Sequence, residues 1–195
     1  MARIPTIRGF APKPGRPGGS GGANYQKEFT QIMANLNKEL SAIAERSLTG
    51  LIKSAIMIRN ATEKEPYVTP VDLGNLRASW FVVTANGKII RGGGRSHSAG
   101  GMNKTNFVRK NASKLASGHN SALTESQGIA DTEANKRLGP FLVMGYSAYY
   151  AGYVHEFVNA EFQRPGSGPK WFQSAIFRHK QDILKLIYEN ARIKK

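Results

Sequence analysis

Residues 69–80 read Thr-Pro-Val-Asp-Leu-Gly-Asn-Leu-Arg-Ala-Ser-Trp, and this stretch holds the strongest local signals in the chain. Pro70 fixes its own φ angle, the side chain of Asp72 can hydrogen-bond backbone amides just downstream, and Gly74 allows a positive φ. The stretch is therefore predicted to be a turn that starts a short helix or strand. Leu76 and Trp80 are four residues apart and would share one face of a helical turn.

Two later blocks add to the weight of this stretch. Residues 147–157 read Ser-Ala-Tyr-Tyr-Ala-Gly-Tyr-Val-His-Glu-Phe, and residues 168–172 read Gly-Pro-Lys-Trp-Phe. The aromatic spacing of the second block predicts a short helix, and Pro169 suits the first position of a final helix. The side chains form no reactive constellation, so we interpret the key residues as architecture: Pro70, Asp72, Gly74, Leu76, Arg77, Trp80, Tyr149, Tyr153, Glu156 and Trp171.

In this order and spacing, the three blocks resemble those of the tail-completion (neck, head–tail joining) proteins of long-tailed bacteriophages. The resemblance covers roughly residues 24–90 and 139–193. It implies a structural virion protein of the neck that is made in the host bacterial cytoplasm. It also implies a homo-oligomeric ring, hexameric as first choice and twelve-membered as second, with double-stranded DNA passing through the lumen. The implied neighbours are portal/adaptor or stopper proteins on one side and tail tube or terminator proteins on the other.

Other functions stay open at this point. The tail terminator is a ring-forming phage protein of the same joint and would share most of these features. A freestanding basic nucleic-acid-binding protein would bind DNA tightly as a monomer or dimer, without a ring. A metallohydrolase is a further alternative, but the sequence supplies no set of metal ligands for it.

The charge of the chain points to a polyanionic or acidic partner. Its 195 residues, which suit one domain, include 28 Lys and Arg against 13 Asp and Glu, for a net charge of +15. Nucleic acid is the commonest partner of such a chain, and an acidic protein is the alternative. With no zinc finger, RNP aromatic pair or helix-turn-helix pattern, we expect contact with the phosphate backbone rather than with base edges.

Hydrophobic periodicity predicts an α+β fold. A long N-terminal helix spans residues 24–60, with Gly50 as a bend or close-packing point, and Asn86-Gly87 marks a hairpin within residues 80–90. The apolar run 141–146 predicts a strand that is buried on both faces, and one C-terminal helix follows residue 169. The long N-terminal helix and the C-terminal helix would pack on a small, mostly antiparallel sheet. Trp80, Trp171, Phe172 and the tyrosines would be core, with part of the tyrosine row free to face a neighbour.

Two segments fall outside this pattern. Residues 1–23 are predicted to be a flexible basic arm, and residues 24–195 a single domain interrupted by a polar insert at about 91–138. The insert has almost no hydrophobic periodicity and is interpreted as an extended β-hairpin arm or a lumen loop. Its basic residues are candidates for contact with DNA or an acidic partner: Arg91, Arg95, Lys104, Arg109, Lys110 and Lys114.

No residue pattern indicates catalysis, a metal or a cofactor. His155-Glu156 lacks the second histidine of a His-Glu-x-x-His motif because position 159 is Asn, and adjacent helical residues point in different directions. The other histidines are isolated from any carboxylate cluster in the sequence. The chain has no cysteine, which excludes thiol catalysis and Cys-based zinc sites. No apolar run approaches the roughly 18 residues that a membrane span needs, so no membrane partner is expected.

Overall fold

The computed structural model describes residues 22–64, 66–70, 75–91, 106–159, 161–162 and 164–192, with backbone alone at helical residues 22–26, 106–112 and 115. The elements follow in chain order: α1 (Gly22–Lys64), α2 (Asn75–Ala78), β1 (Trp80–Thr84), β2 (Ile89–Arg91), α3 (Asn106–Arg137), β3 (Leu142–Tyr146), α4 (Ala151–Glu156), α5 (Trp171–Arg178) and α6 (Lys180–Ala191). The predicted α+β class is confirmed, with a long N-terminal helix and C-terminal helices beside a small antiparallel sheet.

The sheet has the strand order β2-β1-β3, and both pairings are antiparallel. The predicted hairpin is present, and Gly87 adopts the positive φ (78°) that its turn requires. β1 is the central strand and is buried along its whole length. At one end of the sheet Trp80 pairs with Tyr146, and at the other end Thr84 pairs with Leu142.

The two faces of β1 are covered by different helices. Because alternate residues of a strand point to opposite faces, Trp80 and Val82 lie on one side and Phe81 and Val83 on the other. The first pair packs with Ala55 of α1, and the second pair packs with Leu123 of α3. The sheet is therefore a middle layer between α1 and α3.

Gly50 is a point of close approach between α1 and α6. A Cβ atom at Gly50 would lie 2.9 Å from the Cα atom of Ile187, closer than non-bonded carbons approach. The Lys53 ammonium donates a 2.8 Å hydrogen bond to the Asn190 side chain one turn away. Of the two roles predicted for Gly50, the structure supports close packing.

The predicted loop or β-hairpin arm within residues 91–138 is wrong for most of that segment. Residues 106–137 form α3, a 32-residue helix, while residues 92–105 lie outside the described residues. Within residues 113–137 without 115, where the structure describes the side chains of α3, the buried ones recur at helical spacing but are mostly small or polar: His119, Leu123, Ser126, Ala130 and Ala134. A face built from such residues gives almost no hydrophobic periodicity, although it packs closely on a sheet.

Two other expectations also need correction. The run 141–146 was expected to be buried on both faces, but β3 is an edge strand and each of its residues is half-buried. The single C-terminal helix is divided at His179, where φ is −99° and ψ is 14°, into α5 and α6. The predicted arm lies outside the described part of the chain up to residue 21.

Candidate functional site

The three sequence blocks meet in one hydrophobic cluster. Its buried members are Leu76 from the first block, Ala148 and Ala151 from the second, and Trp171 from the third. Half-buried Tyr146, Tyr150, Val154 and Phe172 pack around them. The blocks, widely separated in sequence, thus form one structural unit at the end of the sheet where Trp80 pairs with Tyr146.

Polar contacts tie the same blocks together. Arg77 forms an ion pair with Glu63 at the end of α1. The Lys170 amide donates to the His155 carbonyl at 2.8 Å, which joins the third block to the second. The guanidinium of Arg164 donates to the Glu63 carbonyl at 2.8 Å and to the Thr69 carbonyl at 3.3 Å. Pro70 is buried beside these contacts, while Asp72 and Gly74 lie outside the described residues.

Tyr146 anchors a buried polar network that the sequence did not reveal. Its hydroxyl lies 3.1 Å from the Thr62 hydroxyl and 3.4 Å from the Thr69 hydroxyl. Burial raises the pKa of the Tyr146 phenol, because the charged phenolate would lose its hydration. Tyr146 also meets Trp171 edge to face, with ring centroids 6.0 Å apart, so the network holds the motif cluster in place.

The second block presents an aromatic surface to solvent. Tyr149 is 71% exposed and Tyr153 is 68% exposed, and Phe157 and Val158 are exposed beside them. The rings of Tyr153 and Phe157 stack with centroids 5.3 Å apart. We call these four residues the aromatic patch. Tyr149 and Tyr153 therefore belong to the part of the tyrosine row that the sequence left outside the core, and the predicted core position holds for the two tryptophans, which are both 1% exposed.

His155 and Glu156 interact directly, contrary to expectation. The Nδ1 atom of His155 lies 2.7 Å from Oε1 of Glu156, and Glu156 also forms an ion pair with Lys170. Lys170, and then His155, lower the pKa of the Glu156 carboxyl. The His155 ring packs against Trp171 with centroids 4.8 Å apart, which gives the pair a place in the motif cluster.

The other two described histidines have local partners. Nδ1 of buried His119 lies 2.5 Å from the Ser147 hydroxyl, joining α3 to the end of β3, and Nδ1 of His179 lies 3.2 Å from Asp182. Within the described ranges, no group of three or more His, Cys, Asp or Glu side chains could hold a metal ion. Among those residues, no helix is both long and apolar enough to cross a membrane.

Of the described basic candidates, Lys114 lies beside the aromatic patch. Exposed Arg91 ends β2 opposite Phe81, towards the Trp80 end of the sheet. Exposed Lys114 of α3 holds its ammonium 5.8 Å from the ring centroid of Tyr149. Arg109 and Lys110 lie in the first turns of α3, and Arg95 and Lys104 fall outside the described residues.

A second apolar surface lies at the opposite end of the sheet. There a cavity of about 370 Å³ opens between α1 and the segment after α3, and its apolar lining includes Leu40, Ile43, Leu48, Leu138, Pro140 and Phe141. Towards its N-terminus, α1 continues with exposed Phe29, Ile32 and Leu36. We call these nine residues together the apolar groove.

No protein-family model, no curated protein and no solved structure matches this chain.

Proposed function

We propose that this protein is a structural subunit of a bacteriophage neck that forms a homo-oligomeric ring between the portal/adaptor complex and the tail. The observation that carries the proposal is that one subunit has two unlike apolar surfaces, the aromatic patch and the apolar groove, at opposite ends of its sheet. The resemblance of the three sequence blocks to neck proteins supports the same assignment.

The positions of these surfaces suit a ring. β3 begins beside Phe141 of the groove and ends at Tyr146, next to the aromatic patch. At about 3.3 Å per residue, the strand separates the two surfaces by roughly 16 Å. Subunits of a cyclic ring contact each other through two different surfaces, so each subunit needs both. Apolar side chains such as Ile32, which is 61% exposed, gain from burial in such a contact.

Charge supports the passage of DNA through the ring. A net charge of +15 per subunit attracts phosphate and also opposes association of identical subunits. We therefore expect monomers or loose association at low salt, and ring formation on DNA, on a partner ring or at high salt. Six copies is the expected number, with twelve as the second choice.

Complementation between two broken surfaces tests the proposal. Tyr153→Ser removes part of the aromatic patch, and Ile32→Ser removes part of the apolar groove. Tyr188→Ser, at an equally exposed tyrosine of α6 outside both surfaces, is the matched control. Native mass spectrometry of wild type under ring-forming conditions should show a closed ring, and the control should match it. Each surface variant alone should stay monomeric.

A mixture of the two surface variants should form dimers but no rings, because only one intact patch can meet one intact groove. The neck role would be refuted if wild type stays monomeric with DNA, at high salt and with neck partners, and is also absent from purified virions. If both surface variants still form rings as wild type does, the subunit contacts lie elsewhere.

The charge also favours a second candidate, a freestanding nucleic-acid-binding protein. In that case a monomer of wild type should bind duplex DNA tightly, with affinity that falls steeply with salt. The ring-deficient variant Ile32→Ser should then bind DNA as well as wild type does. A neck subunit should instead lose apparent affinity when it cannot close its ring, because its contacts no longer act together.

A further inference from the structure

A cavity of about 320 Å³ lies beside the aromatic patch, between α2, α3 and the segment after β3. Its lining is made of small and polar residues together with one cation and one aromatic ring: Asn75, Ser79, Lys114, Ser117, Gly118, Ser121, Ser147, Ala148 and Tyr149. Among the described residues, no carboxylate lines it. Lys114 is the one charged side chain of this described lining.

One face of α3 supplies the donors. Lys114, Ser117 and Ser121 follow each other at intervals of three and four residues, so their side chains lie in one row. The Ser117 and Ser121 hydroxyls make no hydrogen bond within the described part of the chain. A Cβ atom at Gly118 would meet nothing within 4 Å, so the row borders open space.

Asn75, which lines the cavity, has one buried polar atom without a partner. Asn75 is 4% exposed, and its Nδ2 donates a 3.0 Å hydrogen bond to the Tyr150 hydroxyl. Its Oδ1 is buried without a partner. A buried acceptor in this state is costly.

We infer that this cavity binds a phosphate group of a nucleic-acid backbone. The Lys114 ammonium supplies the opposite charge, and the Ser117 and Ser121 hydroxyls donate hydrogen bonds to the phosphate oxygens. An acidic side chain of a protein could use the same donors. A backbone is favoured because exposed Arg91 ends β2 at the same end of the sheet, and the net charge of +15 suits a polyanion. This inference rests on the proposed passage of DNA through the ring.

The experiment separates a built site from diffuse attraction by changing hydroxyls as well as charge. The full-length chain is titrated onto a short fluorescent DNA duplex of mixed sequence, and fluorescence anisotropy is followed at several salt concentrations. Ser117→Ala/Ser121→Ala removes two exposed hydroxyls without altering charge, so the fold should tolerate it. Its control is Thr124→Ala, at an exposed threonine of α3 that does not line the cavity. Lys114→Gln is paired with Lys136→Gln at the other end of α3.

The double serine variant should weaken binding by at least about tenfold, because about tenfold is the factor expected for loss of a single hydrogen bond to a charged group and this variant loses two. Thr124→Ala should bind like wild type. Lys114→Gln should lower the slope of log K against log salt by about 0.9, as expected for one lost phosphate contact, and Lys136→Gln should leave it unchanged. Together these four results would establish a phosphate site at the cavity.

Wild-type affinity in the double serine variant would overturn the inference, even if Lys114→Gln weakened binding, because Lys114 would then act only as diffuse charge. The inference would also fail if poly-glutamate binding, but not duplex binding, depended on the two serines. That result would identify a site for an acidic protein. Ring formation is measured separately on the same variants. If the serine substitutions weaken DNA binding but wild type forms no ring, the phosphate site stands and the neck role is refuted. If wild type forms a ring but the serine substitutions leave DNA binding unchanged, the neck role stands and the phosphate site is refuted.

Discussion

Replacing Gly50 with alanine tests the packing of α6 on α1. The new Cβ atom would lie 2.9 Å from the Cα atom of Ile187 and 3.1 Å from the carbonyl oxygen of Leu186. Both neighbours are backbone atoms, so relief requires α6 to move away by several tenths of an ångström. Overpacking of this kind costs about 1–3 kcal/mol, whereas the gain in helix propensity from glycine to alanine is about 1 kcal/mol. We expect a net loss of up to about 2 kcal/mol in the free energy of unfolding.

Gly128→Ala on α3 is the matched control, because a Cβ atom there meets nothing within 4 Å and the propensity gain is not opposed. The difference between the two variants isolates the contact and should be about 1–3 kcal/mol. Urea denaturation followed by circular dichroism measures it, with an unchanged m value as the sign that only stability changed. If Gly50→Ala stabilises the protein as much as Gly128→Ala does, α6 does not pack on α1 at this point.

Three further changes test the buried Trp80 side chain, the buried Tyr146 phenol and the exposed Glu156 carboxyl. Trp80→Ala should cost about 3–5 kcal/mol in urea denaturation, because the indole is buried between β1 and α1; unchanged stability would mean that the ring is dispensable. Since burial raises the pKa of Tyr146, wild type should lose stability as pH rises above about 10, and Tyr146→Phe should lose less; equal losses would count against the buried phenol. The pKa of the Glu156 carboxyl is lowered from 4.5, so its contribution to stability is present above that pH and is lost as the pH falls below it. Glu156→Gln should therefore flatten acid denaturation slightly, and an unchanged acid profile would argue against the Lys170 pair.

Large apolar side chains made the main elements predictable. On α1, residues such as Ile43, Leu51 and Ile58 recur at helical spacing, and the helix was expected from 24 to 60 and observed at Gly22–Lys64. The hairpin was predictable because Gly87 must take a positive φ in its turn. In both cases the signal depends only on neighbouring residues.

The structure of α3 could not be predicted from the same signal. Among the side chains of α3 that the structure describes, the buried row contains His119, Ser126, Ala130 and Ala134, with only Leu123 as a large apolar residue. Small side chains allow α3 to lie close to the sheet, but they are also common in loops, so hydropathy did not distinguish the two. The spacing of Ala130 and Ala134 was visible in the sequence and could have suggested a helix.

The candidate phosphate cavity also depends on information that the sequence lacks. Ser117 and Ser121 form a row only once α3 is known to be a helix, and Asn75 reaches them only through the packing of α2. Lys114 was predicted to contact a DNA backbone or an acidic partner because it ends a basic run in the sequence. Its neighbours in the fold played no part in that prediction. The sequence left open whether Tyr149 is core, because aromatic spacing predicts a helix but does not determine which side of that helix faces solvent.

Most residues of the three sequence blocks are not part of the proposed binding surfaces. Leu76 and Trp171 are buried in the shared cluster, where their substitution would change stability before it changed any contact with a partner. Tyr153 and Ile32 are exposed and make few contacts within the subunit, so their substitution would change assembly with little effect on folding. The resemblance of the three blocks is carried mainly by the first kind of residue. It therefore supports a shared scaffold more strongly than a shared partner, and the partner has to be identified through the patch, the groove and the cavity.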